Sequence, residues 1–382
     1  MVPMHAPVAA AFDELMSVDR ISRISDSLWD AAAGGDVLAS RGWLAALEQA
    51  GIAGLQPHYL MRQSANGPCA AVCYEAPATA AGSDFNCYLL GRLYPLSRRI
   101  GLSFAPALVC APYRGYSGHL LGPDPTAAIA MVEDLAAKRR LPVVLTRILD
   151  EDTELRDLLL ARAYHRTVFG PAARLDVTWS SFEGYLATLR KSARGTVRDE
   201  MRRCREAGVA IAEIDDPSAL AAELYALATA HNRRRNGTGL PFSEAFFPAL
   251  KVALGQQAVF YGAFHGQDLL GFALFLRDDS TAHALYIGMR ERKEHFAYFN
   301  LAYYRPIIDA IGGGLRQINF GTMLYELKAR RGCRILPTSI YYRASSRARH
   351  LALTPYFRAH RAWIGRTKFA RALALAKATR SR

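Results

Sequence analysis

The sequence has no acidic residue after Glu326. Fifteen Lys and Arg fall in the last 56 positions, which leaves 48 − 15 = 33 basic against 34 acidic residues over 1–326. The whole +14 therefore belongs to the end of the chain. A field of this kind attracts a polyanion: nucleic acid, an anionic membrane surface or a phosphate-rich co-substrate. No run approaches the roughly 18 apolar residues of a membrane span, which excludes a polytopic membrane protein. The start, MVPMHAPVAAAFDELM, has no basic n-region and reaches Asp13 and Glu14 early, unlike a signal peptide. Cysteine is scarce: six, at 69, 73, 87, 110, 204 and 333, with no CxxC pair. That argues against a disulfide framework or a zinc site and for reduced thiols in a cytoplasmic protein with no metal. No Ser-His-Asp or Cys-His spacing points to a covalent intermediate.

The chain has 382 residues, of which 51% are apolar and 21% charged, enough for two cores. SRGWLAALEQ opens a helix capped by Ser40. PHYLMRQ and CAAVCYE flank Asn66-Gly67 and read as a hairpin, with Cys69 and Cys73 on one face. The stretch 78–104 reads as irregular. APALVCA is a strand, followed by a Gly/Pro loop, a helix near 125–140, the strand LPVVLTRIL, a helix near 151–163 and the strand ARLDVTW. The second half opens with one helix over 181–209, weak at Gly195 and stopped at Gly208, then the strand VAIAEI and an amphipathic helix. QAVFYGAFH, LLGFALFL and AHALYIGM form a meander. Leu301, Tyr304, Ile308 and Ile311 fit a 3.6 period, with Pro306 starting or kinking that helix. RQINFGT and ILPTSIYY are the last strands of this half. A basic amphipathic helix is expected after Pro355, with Phe357, Trp363, Ile364, Phe369 and Leu373 on its apolar face.

Both halves share one element order, the β-β-β-α-β order of a GNAT-type acyltransferase core. The expected fold is α/β (α+β): two tandem GNAT-like domains, 1–170 and 171–345, with mostly antiparallel sheets flanked by helices, and a basic helix over 346–382. The phrase HFAYFNLAYYRPIIDAIGGGLRQINFGTMLYELKARRGCRILPTSIYY carries His295-Phe296, Tyr303-Tyr304, Ile307, Ile311, Gly314-Leu315, Phe320-Gly321, Lys328 and Arg331-Gly332. This set, together with LRKSARGTVRDEMRRCREAGVAI upstream, resembles the FemAB-like N-acyltransferase group over about 186–342. The resemblance implies direct amide formation on an amine, with the acyl group taken from aminoacyl-tRNA or a thioester. Ordinary GNAT enzymes cradle coenzyme A in an R/Q-x-x-G-x-G/A loop, where free backbone N–H groups bind anions. Only Gly288 of that loop is present here, in GMRERKEHFAYFN. The acid-free end and the missing glycines favour tRNA as partner and co-substrate, with acyl-CoA or a carrier protein as the alternative and no bound cofactor. A non-catalytic nucleic-acid or membrane-binding protein on this scaffold is the reading from another class.

Aminolysis needs an amine held in line, its proton removed, the oxyanion stabilised and the leaving group protonated. The resemblance places Lys328 near the donor, on a phosphate or on the polarised carbonyl. Tyr325 is the candidate acid for the leaving group, and Glu326 a proton acceptor or partner of Lys328. Arg198, Arg202, Arg233, Arg234, Arg330 and Arg331 are candidate phosphate contacts. Tyr286, His295, Tyr303, Tyr304 and Arg114 are candidates for an acceptor pocket. Each also has an ordinary reading, as a solvated charge or a packed ring. His283 and Tyr286 are expected on opposite faces of their strand.

Overall fold

The computed structural model describes residues 15–52, 55–77, 85–101, 103–117, 119–290, 296–364 and 370–380. The first half supplies β1 (Met16–Val18), β2 (Gln56–Ser64), β3 (Gly67–Ala76), β4 (Ala107–Cys110), β5 (Leu120–Leu121), β6 (Val143–Leu149), β7 (His165–Val168) and β8 (Ala172–Asp176). The second supplies β9 (Val209–Glu213), β10 (Ala258–His265), β11 (Asp268–Arg277), β12 (Thr281–Met289), β13 (Gln317–Gly321), β14 (Arg334–Leu336) and β15 (Thr338–Arg343).

One sheet runs β1-β2-β3-β4-β6-β15-β7, with β5 beside β3, and the other runs β14-β8-β13-β12-β11-β10-β9. Each has one parallel pair, β4 with β6 and β12 with β13, amid antiparallel ladders. This is the tandem GNAT-like fold expected from the element order. The unexpected feature is an exchange of strands. β8, which the sequence reading counts with the first half although it follows residue 170, lies between β13 and β14, while β15 crosses back to lie between β6 and β7. ARLDVTW and ILPTSIYY were expected to close their own halves. Alternation specifies a strand's two faces but not its sheet, and Pro337 between β14 and β15 breaks the segment where it changes sheet.

The exchange has a direct consequence. Residues 1–170 alone lack β15, to which β7 is paired and which completes β6. That fragment is expected to show no cooperative thermal transition by circular dichroism and to regain one when co-expressed with 171–382. A cooperative melt of the fragment alone would contradict this.

The halves also share a core. Trp29, Trp43 and Tyr59 of the first pack in one cluster with Phe246, Phe260, Phe272 and Tyr286 of the second. The helix Arg41–Ala50 meets the helix Phe246–Leu254 at Gly42, where a Cβ would come 2.6 Å from the Ala253 carbonyl oxygen. The expected cap is present: Ser40 Oγ accepts from the Trp43 N–H at 3.3 Å. None of the six cysteines is in a disulfide among the described residues, and Cys69 and Cys73 share one cluster.

Four local expectations need correction. Within 78–104, helices form over Phe85–Leu90 and Tyr94–Ile100. Residues 181–209 hold two helices, Phe182–Thr188 and Lys191–Glu206, because the backbone turns extended at Leu189 and Arg190. Pro355 lies inside a helix, Arg347–Ile364, whose start is fixed by Ser346 Oγ accepting from the Arg349 N–H. A second helix, Ala370–Arg380, follows, and Phe369 lies outside the described residues. Phe357 is buried against Tyr342 and Phe104, so the first tail helix belongs to the first sheet's core. Ala376 is buried with the second sheet's core. Among the described residues no helix is long and apolar enough to cross a membrane.

Candidate active site

The helix that follows β12 holds the site together. It runs from Ala297 to Gly312 through a π turn over Asn300–Tyr304. Pro306, which has no N–H to give, follows that turn without ending the helix. The wide turn presents Phe299, Tyr303 and Tyr304 to one cation. The Arg331 guanidinium carbon lies 4.3, 5.6 and 5.6 Å from the three ring centroids. Arg331 Nη2 donates to Glu200 Oε2 at 2.7 Å and Arg331 Nε to the Tyr304 oxygen at 3.1 Å. The Tyr304 hydroxyl donates to the same Glu200 oxygen. All three residues are buried. Burial works against the Arg331 charge, but Tyr304 and Glu200 outweigh it and hold its pKa above the ordinary value.

Lys328 is buried too, at 4% exposure. Its Nζ donates to the carbonyls of Phe320, Gly321 and Thr322 at 2.6, 3.2 and 2.9 Å. An ammonium has three protons, and all three have a carbonyl here. Lys328 therefore clamps the loop after β13 rather than offering its charge to a donor phosphate. In that loop Met323 and Leu324 both adopt left-handed backbone, φ 70° and 51°, and both side chains are exposed. Non-glycine residues hold such a conformation only where their surroundings impose it.

The loop forms one wall of a cleft of about 570 Å³. Leu324, Tyr325, Glu326 and Leu327 line this side, Ala193, Thr196 and Val197 the opposite helix, and Ala372 and Leu375 the tail helix. Glu200 and Arg331 reach it at the floor, and Arg330 and Arg371 are exposed at its edge. The interior is thus largely apolar, and the exposed edge carries Arg330 and Arg371 together with Glu326. Burial raises the Tyr325 pKa, so its hydroxyl stays protonated and can donate.

Four expected residues therefore meet in one cleft: Tyr325, Glu326, Arg330 and Arg331. Other expected residues lie elsewhere. Arg198 is paired with Glu183, and Arg202 with Asp199 and Glu206, on an exposed helix face. Arg233 and Arg234 are exposed at the end of the helix Ala221–Asn236, where Arg234 donates to the Met289 carbonyl. Tyr303 and Tyr304 face the second sheet's own core, whereas Tyr286 faces the shared one. Tyr286 meets Arg114, whose guanidinium carbon lies 5.0 Å from its ring. The four described acceptor candidates thus divide between the two faces of the second sheet, and His295, the fifth, lies outside the described residues.

A bulge corrects one further expectation. Tyr286 pairs with Leu274 and Ala284 with Phe275, so Leu285 is the extra residue. His283, opposite Leu276, therefore shares the face of Tyr286. His283 is buried beside Asn319, and its ligand atom lies within 4.8 Å of those of Asp36 and Asp278. Both carboxylates already cap local turns. Sequence reasoning missed Glu200, which reads as one acid diluting a basic helix. Its signal was its place on the helix face occupied by Val197 and Cys204, the apolar stripe.

Two matched sheets with exchanged strands, each containing a parallel pair, define a tandem acyltransferase-like fold. Residues 20–371 match the FemAB-like family, described as peptidoglycan biosynthesis/recognition, and the chain belongs to that family. Family and fold together support an acyltransferase. Among solved structures, a conserved protein of unknown function from Bacteroides thetaiotaomicron is 13% identical with a TM-score of 0.57, over 86% of this chain and 100% of that one. FemX is 11% identical with a TM-score of 0.56, over 86% and 98%. The C-terminal domain of a putative lysylphosphatidylglycerol synthetase from Agrobacterium fabrum is 12% identical with a TM-score of 0.55, over 90% and 96%. These likenesses are of fold. No curated protein matches the chain in sequence.

Proposed function

We propose that the protein is an N-acyltransferase that forms an amide by direct transfer, with the acyl group seated in the large cleft. The observation that carries this is the cleft itself: an apolar interior with Tyr325 and Glu326 at its wall. An amine attacks the donor carbonyl, and its proton passes to Glu326 or water. The tetrahedral intermediate collapses, and Tyr325 protonates the departing oxygen. Glu200 and Arg331 shape the floor without touching the reacting atoms.

We further propose aminoacyl-tRNA as the donor. The supporting observation is the acid-free segment beside the cleft, where Arg330, Arg371 and Lys377 are exposed. A second reading, an acyl thioester, is favoured by the apolar lining. Turnover that vanishes on RNase treatment supports tRNA, and robust turnover of acyl-CoA by RNase-treated protein supports the thioester.

Two results follow. Cutting the tail would remove Phe357 and Ala376 from the cores, so charge reversal is the cleaner test. The double variant Arg371→Glu, Lys377→Glu is expected to reduce the salt slope of tRNA binding by about 2, near 0.9 per lost phosphate contact. An unchanged slope would remove the tail from the tRNA surface. Tyr325→Phe is expected to lower kcat about 100-fold with an unchanged melting temperature, the scale of one lost general acid. Wild-type kcat would exclude that role.

A further inference from the structure

A second cleft opens in the first half, where β4 and β6 part. The strands pair over Leu108–Cys110 and Val143–Leu145 and then diverge. The gap, about 80 Å³, is lined by Pro112, Tyr113 and Arg114 on one side and by Thr146, Arg147 and Phe169 on the other. β6 bulges here, because its register with β15 slips between Ser339 and Tyr341, opposite Ile148 and Leu145. Bulges re-aim side chains and recur beside functional sites. Arg147 occupies the bulge at φ 61°, a left-handed conformation that a non-glycine residue disfavours. In this position its guanidinium carbon lies 5.4 Å from the Phe169 ring centroid, and Nη1 donates to the Pro112 carbonyl at 3.4 Å.

Arg114 enters from the other wall, 5.6 Å from the Tyr113 ring centroid and 5.0 Å from that of Tyr286. Its loop is also fixed: Gly115 has φ 106°, and a Cβ there would run into Leu38 Cδ1. Both cations act electrostatically on Tyr116, which also feels Tyr325 of the large cleft. The Tyr286 hydroxyl is buried and has no hydrogen-bond partner among the described residues. Strain, a bulge and two arginines thus converge on one small opening where the two halves meet.

We propose that this opening binds the anionic group of a small ligand, a carboxylate or a phosphate, held by Arg114 and Arg147. Two guanidinium forks laid on aromatic faces suit bidentate recognition of either oxyanion. The volume admits a head group, not a whole substrate. Resting on the acyl-transfer reading, the ligand is the amine acceptor, anchored here by its anion while its amine reaches past Tyr116 toward Tyr325.

Calorimetric titration of the full chain with sodium phosphate and with sodium acetate, at constant ionic strength, tests this without turnover. Saturable binding of at least one is expected, weakened tenfold or more in both Arg147→Gly and Arg114→Gln. The anion that binds more tightly identifies the head group. Arg147→Gly is also expected to melt at or above the wild-type temperature, because glycine accepts this φ freely. A merely structural Arg147 would instead lower the melting temperature and leave binding unchanged. Should Arg147→Gly fail to fold, Arg114→Gln decides by the same tenfold criterion. No saturable binding, or equal binding in the variants, overturns the inference. If such protein still forms amides, the acyl-transfer reading stands and only the anion site falls.

Discussion

Lys328→Met is expected to lower folding stability by about 3–5 kcal/mol at pH 7. Methionine fills much of the same space but leaves three carbonyls without their donor, one buried and two half-buried, at up to about 1–3 kcal/mol each. The loss is not simply additive, because removing the ammonium also removes the cost of burying it. That cost is visible in its titration: burial pushes the Lys328 pKa down from 10.5 to about 8. Between those two values the unfolded chain holds a proton that the folded chain has released, so wild-type stability rises with pH through this window. The gain is complete above 10.5, absent below about 8, and worth up to about 3 kcal/mol. Methionine does not titrate. The gap between wild type and Lys328→Met should therefore widen from pH 8 to pH 10, measured by urea unfolding. A gap that narrows, or a variant of wild-type stability with only a raised donor KM, would return Lys328 to the donor site.

The second large effect belongs to Glu200 and Arg331. Arg331→Ala strands a buried carboxylate and Glu200→Ala a buried guanidinium, and each is expected to cost about 3–5 kcal/mol. The double variant Glu200→Leu, Arg331→Met should recover most of that loss, since paired apolar side chains often replace a buried ion pair at little cost. A coupling energy of about 2 kcal/mol or more in the double-mutant cycle is expected, because the two share one oxygen of Glu200 with Tyr304. Additive losses would show that the residues act independently.

Much of this architecture was legible in the sequence. The meander β10–β12 alternates or runs apolar between short turns, and the cap at Ser40 carries its own mechanism. The strand exchange was not legible, because β8 and β15 present the same alternation to either sheet. Neither was the shared face of His283 and Tyr286, because one bulged residue inverts the alternation. In the site, Tyr325, Glu326, Arg330 and Arg331 come together from four nearby positions after one strand, which a family-like phrase can mark. Glu200 and Arg114 reach their clefts from distant segments. Lys328 stands out in the sequence by its place after a strand, but its three carbonyl partners assign it to the backbone. The basic runs misled for a simpler reason. Arg198, Arg202, Arg334 and Arg343 have carboxylate partners, some from distant segments, and so a charge count overstates what they offer to a polyanion.

The central claim is direct acyl transfer from the large cleft. Radiolabelled aminoacyl-tRNA, prepared from a total tRNA pool, would be incubated with the protein and a mixture of small amines, and label counted in base-stable amide product. Wild type should transfer label, RNase should abolish it, and Ala193→Trp, which fills the cleft from its helix wall, should reduce it at least tenfold while leaving the melting temperature near that of wild type. Failure to form amide from charged tRNA and from acyl thioesters alike, or an Ala193→Trp variant as active as wild type, would contradict the account.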